Sequence, residues 1–198
     1  MSDDCHLELS FSAENADKPL INGYVDWRAV GTFDEDYNYG DYIETKPIAL
    51  KLGLADVDTP DGRYLLISEG VDIYNNGLEL TGMDGWIPDA DNLYRDENAL
   101  VYDYVRAVWN GTDGSSRDTY TQNWTQGEEA CYYEEGAPTI FEDKGAGTVY
   151  INEEIKPGFV LVKNSEGYDY TWEGSGYGLS GEMSLTKRGA GTLTLCGA

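Results

Sequence analysis

Between Asp34 and Tyr42 the chain reads DEDYNYGDY, which sets Asp34, Asp36 and Asn38 two residues apart. Calcium loops use oxygen donors at that spacing, because a hard cation collects carboxylates and amide carbonyls from alternate positions of a tight turn. Asp41 is a fourth candidate ligand. The stretch departs from the EF-hand pattern, with Tyr39 where that loop needs Gly and Thr45 where it needs a bidentate Glu. A second run, PDADNLYRDEN (Pro88–Asn98), offers Asp89, Asp91 and Asn92. The plainer reading of both is a solvated acidic loop.

The tyrosines of the first run, Tyr37, Tyr39 and Tyr42, carry a different chemistry, as do Tyr132 and Tyr133 of CYYEE. Rings beside Asp, Asn and Glu equip a sugar-binding surface, by stacking and by hydrogen bonds to hydroxyls. Tyr is also a common strand residue whose ring covers a core edge. For hydrolysis, paired carboxylates are the only catalytic material. The chain has one His, His6, and no Gly-x-Ser-x-Gly elbow, which argues against a Ser or Cys triad. The nearest approach to the Asp-Thr/Ser-Gly signature of aspartic proteases is DTPDG, Asp58–Gly62. An acid pair for glycoside or peptide hydrolysis is a matter of geometry that the sequence does not give.

The elements that must position these groups are strands. LELSF (Leu7–Phe11) alternates strictly, and KPIALKLGLADV sets Ile48, Leu50, Leu52 and Leu54 on one face. A Pro-Asp-Gly turn at 60–62 leads into RYLLISE, and Asn-Asn-Gly at 75–77 leads into LELTGM, so two hairpins are expected. ALVYDYVRAVW (Ala99–Trp109) is expected to be one long strand. After a polar link from Asn110 come short strands punctuated by Gly: TIF, GTVYINEEI, GFVLVKN, YDYTWEG, LSGEMSLTK and GTLTLCG. No stretch combines helix caps with a sustained helical period. The fold expected is all-β, a Gly-turn-rich sandwich or solenoid with little or no helix.

Composition narrows the function. The 198 residues include 37 acidic and 13 basic ones, for a net charge of −24. Such a surface repels phosphate backbones and anionic lipid, which argues against nucleic acid and membrane-surface partners. Sixteen Tyr, five Trp and four Phe supply core material that disordered acidic chains lack. Cys5, Cys131 and Cys196 are far apart, so at most one disulfide forms and no zinc pattern is present. The first twenty residues lack the basic start and apolar core of a secretion signal, and no apolar run approaches the ~20 residues of a membrane span. A secreted protein would then contain this chain as a mature or excised piece.

The second half resembles the autotransporter-associated β-strand repeat, also called the passenger-associated transport repeat. The matching features run in order: Trp109-Asn110-Gly111, Asn123-Trp124, Phe141 ahead of GAGTVYI, Pro157-Gly158 before FVLV, Tyr168 and Tyr170 before Gly174, and the closing SLTKRGAGTLTLCG. The first half resembles such proteins more loosely, through a Gly-x-Tyr-Leu-Leu strand at 62–66 and a Val/Tyr strand leading into Trp-Asn-Gly. Arg117 departs from the pattern where a second Trp is usual, and Cys196 where Ser is common. The chain also stops before the Asn-x-Tyr-x-Gly-Gly that continues the unit. The resemblance implies a piece of a larger Gram-negative protein, secreted or exposed at the outer membrane, whose strands are scaffold rather than chemistry. It divides the chain into a sandwich or solenoid-end section over 1–106 and a repeat section over 107–198.

The function expected is therefore scaffolding or adhesion towards host or glycan surfaces. The alternatives are a secreted carboxylate hydrolase, protease or glycosidase, acting on host glycoprotein such as mucin, and a calcium-dependent glycan-binding module. No cofactor is expected, or calcium alone. Leu193 and Leu195 are expected either to cover the fold as an edge strand or to leave an edge open to self-association.

Overall fold

The computed structural model describes residues 6–15, 18–26, 48–72, 78–83, 86–97 and 99–197. These residues form an all-β structure whose helical content is two short 3-10 turns, Ala13–Asn15 and Ala90–Asn92. The first seven strands are β1 (His6–Phe11), β2 (Ile21–Asp26), β3 (Ile48–Leu54), β4 (Gly62–Asp72), β5 (Leu78–Gly82), β6 (Leu93–Asp96) and β7 (Ala99–Tyr104). β1, β3 and β5 make one parallel sheet in the order β1-β3-β5; β2, β4, β7 and β6 make a second, in which β7 runs antiparallel to both neighbours.

Alternation decides what these sheets bury. Leu7, Leu9 and Phe11 stand opposite Leu50, Leu52 and Leu54 on one face of the pleat. Phe11 is the hub, its ring 4.5 Å from Tyr64, 5.5 Å from Tyr104 and 6.0 Å from Trp86 between centroids. Burial pushes the Tyr102 phenol up to about 12, and its oxygen accepts the Asp89 backbone N–H at 3.2 Å.

Among the described residues neither expected hairpin pairing forms. β3 is flanked on each side by a parallel partner, so no edge remains for β4 to fold back on. The Asp-Gly turn instead follows a loop in which Asp56 accepts the Asp58 and Thr59 backbone N–H groups, and it carries the chain into the other sheet. The Asn-Asn-Gly segment lies outside the described residues, and the strand after it, β5, pairs in parallel with β3. The long run 99–109 is divided: Asp61 Oδ1 accepts both the backbone N–H of Arg106, at 2.8 Å, and its Nε–H, at 2.9 Å. That shared acceptor takes the Arg106 N–H out of the strand ladder, which ends at Tyr104.

The next strands are β8 (Ala107–Trp109), β9 (Ser116–Arg117), β10 (Trp124–Gln126), β11 (Glu129–Cys131), β12 (Pro138–Phe141), β13 (Gly147–Ile151), β14 (Phe159–Lys163), β15 (Tyr170–Gly174), β16 (Ser184–Arg188) and β17 (Leu193–Cys196). Apart from the β10–β11 hairpin, successive strands alternate between two sheets, ordered β11-β10-β8-β12-β14-β16 and β17-β15-β13-β9. Every pairing after the hairpin is parallel and without register shifts. The inward faces bring Phe141, Val149, Val160, Val162, Tyr170 and Trp172 into one core. The outer face of the longer sheet is also buried, by Ile140, Phe159 and Leu161 against Leu54, Val57 and Val108, which joins the two halves.

The corners explain the repeated Gly-Ala-Gly. Gly145 (φ +75°) and Gly189 (φ +79°) adopt a backbone conformation that side chains disfavour. A Cβ on Gly145 would also lie 2.8 Å from the Trp109 ring and from the Asn110 backbone, and one on Gly189 would meet the Asn164 carbonyl. Hydrogen bonds tie corner to corner. Trp109 Nε1 donates to the Gly145 carbonyl (3.0 Å), Tyr170 Oη to the carbonyls of Glu142 and Lys144, the Ser165 N–H to Asp143 (2.6 Å) and the Thr192 N–H to Asp169 (2.6 Å).

Gly145→Ala should lower stability by about 2–4 kcal/mol, since strain and a clash add. Gly178→Ala, where no heavy atom lies within 4 Å of an added Cβ, should stay within about 0.5 kcal/mol. Urea denaturation of the two variants measures the contrast.

Candidate functional site

Parity along the strands fixes which side chains the shorter sheet presents outward. Val149, Ile151, Tyr170 and Trp172 point into the core, so Thr148 and Tyr150 of β13, Thr171 and Glu173 of β15, and Thr194 and Cys196 of β17 point away from it. Register then aligns them across the sheet. Thr148, Thr171 and Thr194 stand in one row, and Tyr150 and Glu173 in the next. Adjacent strands lie about 4.8 Å apart, so the three hydroxyls form a regular line of donors and acceptors. Tyr150 is 44 % exposed beside it. At the β9 margin, Asn152 donates through Nδ2 to Ser116 Oγ at 3.0 Å. The outward side chains of these strands are mostly polar, with one open aromatic ring, that of Tyr150. This face can stack a sugar and hydrogen-bond its hydroxyls. Reading the sequence element by element misses it: counting from the two Gly-Ala-Gly corners sets Thr148 beside Thr192, whereas the strand register sets it beside Thr171 and Thr194.

The sequence-expected sites fall elsewhere. Asp34, Asp36, Asn38, Asp41, Tyr37, Tyr39 and Tyr42 lie outside the described residues. Of the CYYEE pair, Tyr132 is on the surface, whereas Tyr133 is 2 % exposed and packs on Trp124 with 5.7 Å between ring centroids. That placement corrects the expectation for Tyr133, which has no ring face open to a sugar. Asp89 caps the second 3-10 turn, accepting the Asp91 N–H at 2.9 Å. Among the described residues no three His, Cys, Asp or Glu side chains converge as a metal site. Cys131 and Cys196 are both free thiols, and burial pushes Cys131 upward.

The carboxylates of DTPDG are engaged in ion pairs. Asp58 is approached by Lys163 at 2.8 Å, Arg188 at 3.4 Å and Arg106 at 4.0 Å; Arg188 also reaches Asp56 at 2.9 Å. Thr59 is buried and donates its hydroxyl to the Asp56 carbonyl. The cluster lies over the apolar seam between the halves, with Asp56, Asp58 and Asp61 from one and Lys163 and Arg188 from the other. Its geometry is that of an electrostatic clasp.

Arg117 is the one described cation wholly inside the protein, at 0 % exposure. Rings of Trp124, Tyr133, Phe141 and Trp172 surround its guanidinium carbon at 5.5–5.7 Å. Nη2 donates to Thr139 Oγ1 over a long 3.4 Å, and Nε and Nη1 have no partner. The neighbouring Asp118 turns away, accepting from the Tyr120 and Thr121 backbone and the Thr121 hydroxyl. Burial pulls the guanidinium down to about 10, which still leaves it charged at neutral pH. Four ring contacts near the outer limit of cation–π range contribute about 0.5 kcal/mol each. Two orphaned buried N–H groups cost about 1–3 kcal/mol apiece. The cost prevails.

Among the described residues two groove-like hollows stand out. One of about 580 Å³ runs along the corners between charged side chains of both signs, including Glu142, Lys144, Lys163 and Glu166. The other, about 370 Å³, opens between β16 and β17 and is lined by Trp172, Leu179, Met183, Leu185 and Leu195.

Arg117→Met should therefore raise stability, by about 1–2 kcal/mol, which thermal denaturation reads as a higher Tm. Asp58→Asn should lower it by about 1 kcal/mol at low ionic strength, with the difference shrinking as salt screens the clasp. Comparisons of the chain with protein-family models, with curated proteins and with solved structures find no match to it.

Proposed function

We propose that this chain is a scaffold section of a bacterial secreted or cell-surface protein, a run of solenoid-like rungs that presents its uncovered outer face to host glycans. The observation that carries the reading is the threonine row of Thr148, Thr171 and Thr194 flanked by the open ring of Tyr150. Strands that alternate between two sheets at constant register place the same side chain at a fixed interval, which is how a scaffold makes a repetitive surface. The other broad face, on the longer sheet, is covered by Leu54 and Val57 of the N-terminal half, which leaves the shorter sheet's face as the open one among the described residues. The acidic surface is compatible with polar, uncharged sugars and keeps the chain from phosphate-bearing polymers.

Adhesion of this kind is weak per site, because stacking and hydrogen bonds on a flat face leave much of the ligand in water. Its strength would come from repetition of the face along a longer array.

Two measurements test the reading. Antibody raised against this chain should label intact cells or the culture medium of the native host; signal confined to the cytosol would sink it. On a mucin-type glycan array displayed multivalently, Tyr150→Ala should reduce binding about tenfold, the worth of one stacked ring, with the melting temperature unchanged. Binding that survives both Tyr150→Ala and Thr171→Val would put the contact elsewhere. Release of peptide or sugar from the same mucin, abolished by a single Asp→Asn change, would establish a hydrolase instead.

A further inference from the structure

We propose that the chamber around Arg117 binds one halide ion, chloride or bromide, inside the core of the C-terminal half. Six buried side-chain polar atoms among the described residues have no hydrogen-bond partner, and four of them belong to three neighbouring side chains: Arg117 Nε and Nη1, Trp124 Nε1 and Trp172 Nε1. The guanidinium carbon lies 5.5 Å from the Trp124 ring and 5.7 Å from the Trp172 ring. Phe141 packs against both indoles, with centroids 5.4 and 4.7 Å away. The other two orphans, Tyr104 Oη and Asn164 Oδ1, stand apart, one in the N-terminal core and one at the corner after β14.

All four are donors, and a folded interior leaves few such groups unpaired. What they need is an acceptor, and the surrounding side chains have none to spare. Thr139 Oγ1 takes the Arg117 Nη2 hydrogen and commits its own to the Phe159 carbonyl. Asp118 is taken up by Tyr120 and Thr121, and the Tyr133 hydroxyl donates to Glu135. Asp118 is also the one buried acid among the described residues, so the rest of the chain's negative charge lies nearer the surface, where salt screens it.

The chemistry of the chamber selects the ion. Water accepts hydrogen bonds but carries two hydrogens of its own, and only ring faces are left here to receive them. It would also leave the buried guanidinium charge unpaired. A halide carries no hydrogens, neutralises the charge and accepts N–H groups from any direction. Carboxylate, phosphate or sulfate would need donors for several oxygens and a way in, and the Arg117 side chain has no exposed surface. None of the four rings is stacked on the guanidinium. A stacked ring would stand about 3.5–4.0 Å away, whereas these centroids lie at 5.5–5.7 Å, so the rings can adjust around a monatomic ion without breaking a stacked pair. Bound halide offsets the cost of burying Arg117, and the gain expected of Arg117→Met is therefore that of the halide-free protein. The site stands whether or not the outer face binds glycans.

Halide titration at constant ionic strength tests the site. As chloride replaces gluconate, the melting temperature should rise by roughly 3–5 °C for each tenfold of chloride beyond the dissociation constant, and bromide should act likewise. Arg117→Met should melt at the same temperature in both salts. Trp172→Phe keeps a ring and removes one donor, and should need about tenfold more chloride for the same rise. Asp58→Asn, which weakens the surface clasp, should respond to chloride as the unaltered chain does. Crystals soaked in bromide should give an anomalous peak within hydrogen-bonding distance of the Arg117 guanidinium. A melting temperature that follows ionic strength alone overturns the proposal. So does a chloride response that Arg117→Met retains or Trp172→Phe leaves unchanged, or bromide bound elsewhere with none at Arg117.

Discussion

How closely one corner can approach the next governs the whole C-terminal half. Parallel strands pair in register only if the turns between them stack at strand spacing. At Gly145 that demands backbone against the Trp109 ring, and at Gly189 backbone against the Asn164 carbonyl. Once the corners are seated, the rest follows. The inward residues superimpose, Phe141 reaches Trp109, Tyr170 and Trp172, and the outward threonines align. A side chain at a corner would therefore disturb the core and the outer face together. Where Gly-Ala-Gly is missing, between β14 and β15, Asn164 substitutes, donating Nδ2 to the Tyr168 and Thr192 carbonyls.

This dependence explains what the sequence made legible. Glycine at a corner is a local requirement of backbone conformation and space, and alternation in GTVYI or GFVLV is a local requirement of a two-faced strand, so both are visible in a few residues. Pro-Asp-Gly at 60–62 is equally local, yet it says only that the chain turns. Which sheet it enters was decided by β1 and β5 occupying both edges of β3, and those lie far away in sequence. The threonine row was hidden, because superimposing the two Gly-Ala-Gly corners matches Thr148 to Thr192 and only the strand register matches it to Thr194. CYYEE has the texture of a surface in sequence, yet the Tyr133 ring is drawn in by Trp124 and Arg117 and takes the core-edge role that strand tyrosines share. Arg117 stood out as a departure from pattern. Its enclosure is assembled from residues between 124 and 172, which no single window contains.

The electrostatics divide by depth. Most of the acidic excess can face water at little cost. Three of the scarce cations, Arg106, Lys163 and Arg188, are concentrated around Asp56, Asp58 and Asp61, where they fasten the two halves over an apolar seam. Arg117 is the opposite case, a cation held inside without an acid. Fold is specified here by shape and register, and charge is placed around that specification, sometimes against it.

The β10–β11 hairpin has a consequence of a different kind. Reversing direction beside β8, it brings Trp124 and Tyr133 across the start of the core. The stack thus has a floor beside β8, laid by a reversed hairpin rather than by another parallel strand. A polymer chain built this way possesses polarity: its first rung is closed by aromatic side chains, and each later rung repeats the register of the one before it. Direction, which a sandwich of equivalent edges lacks, is written into the molecule by a single reversed turn.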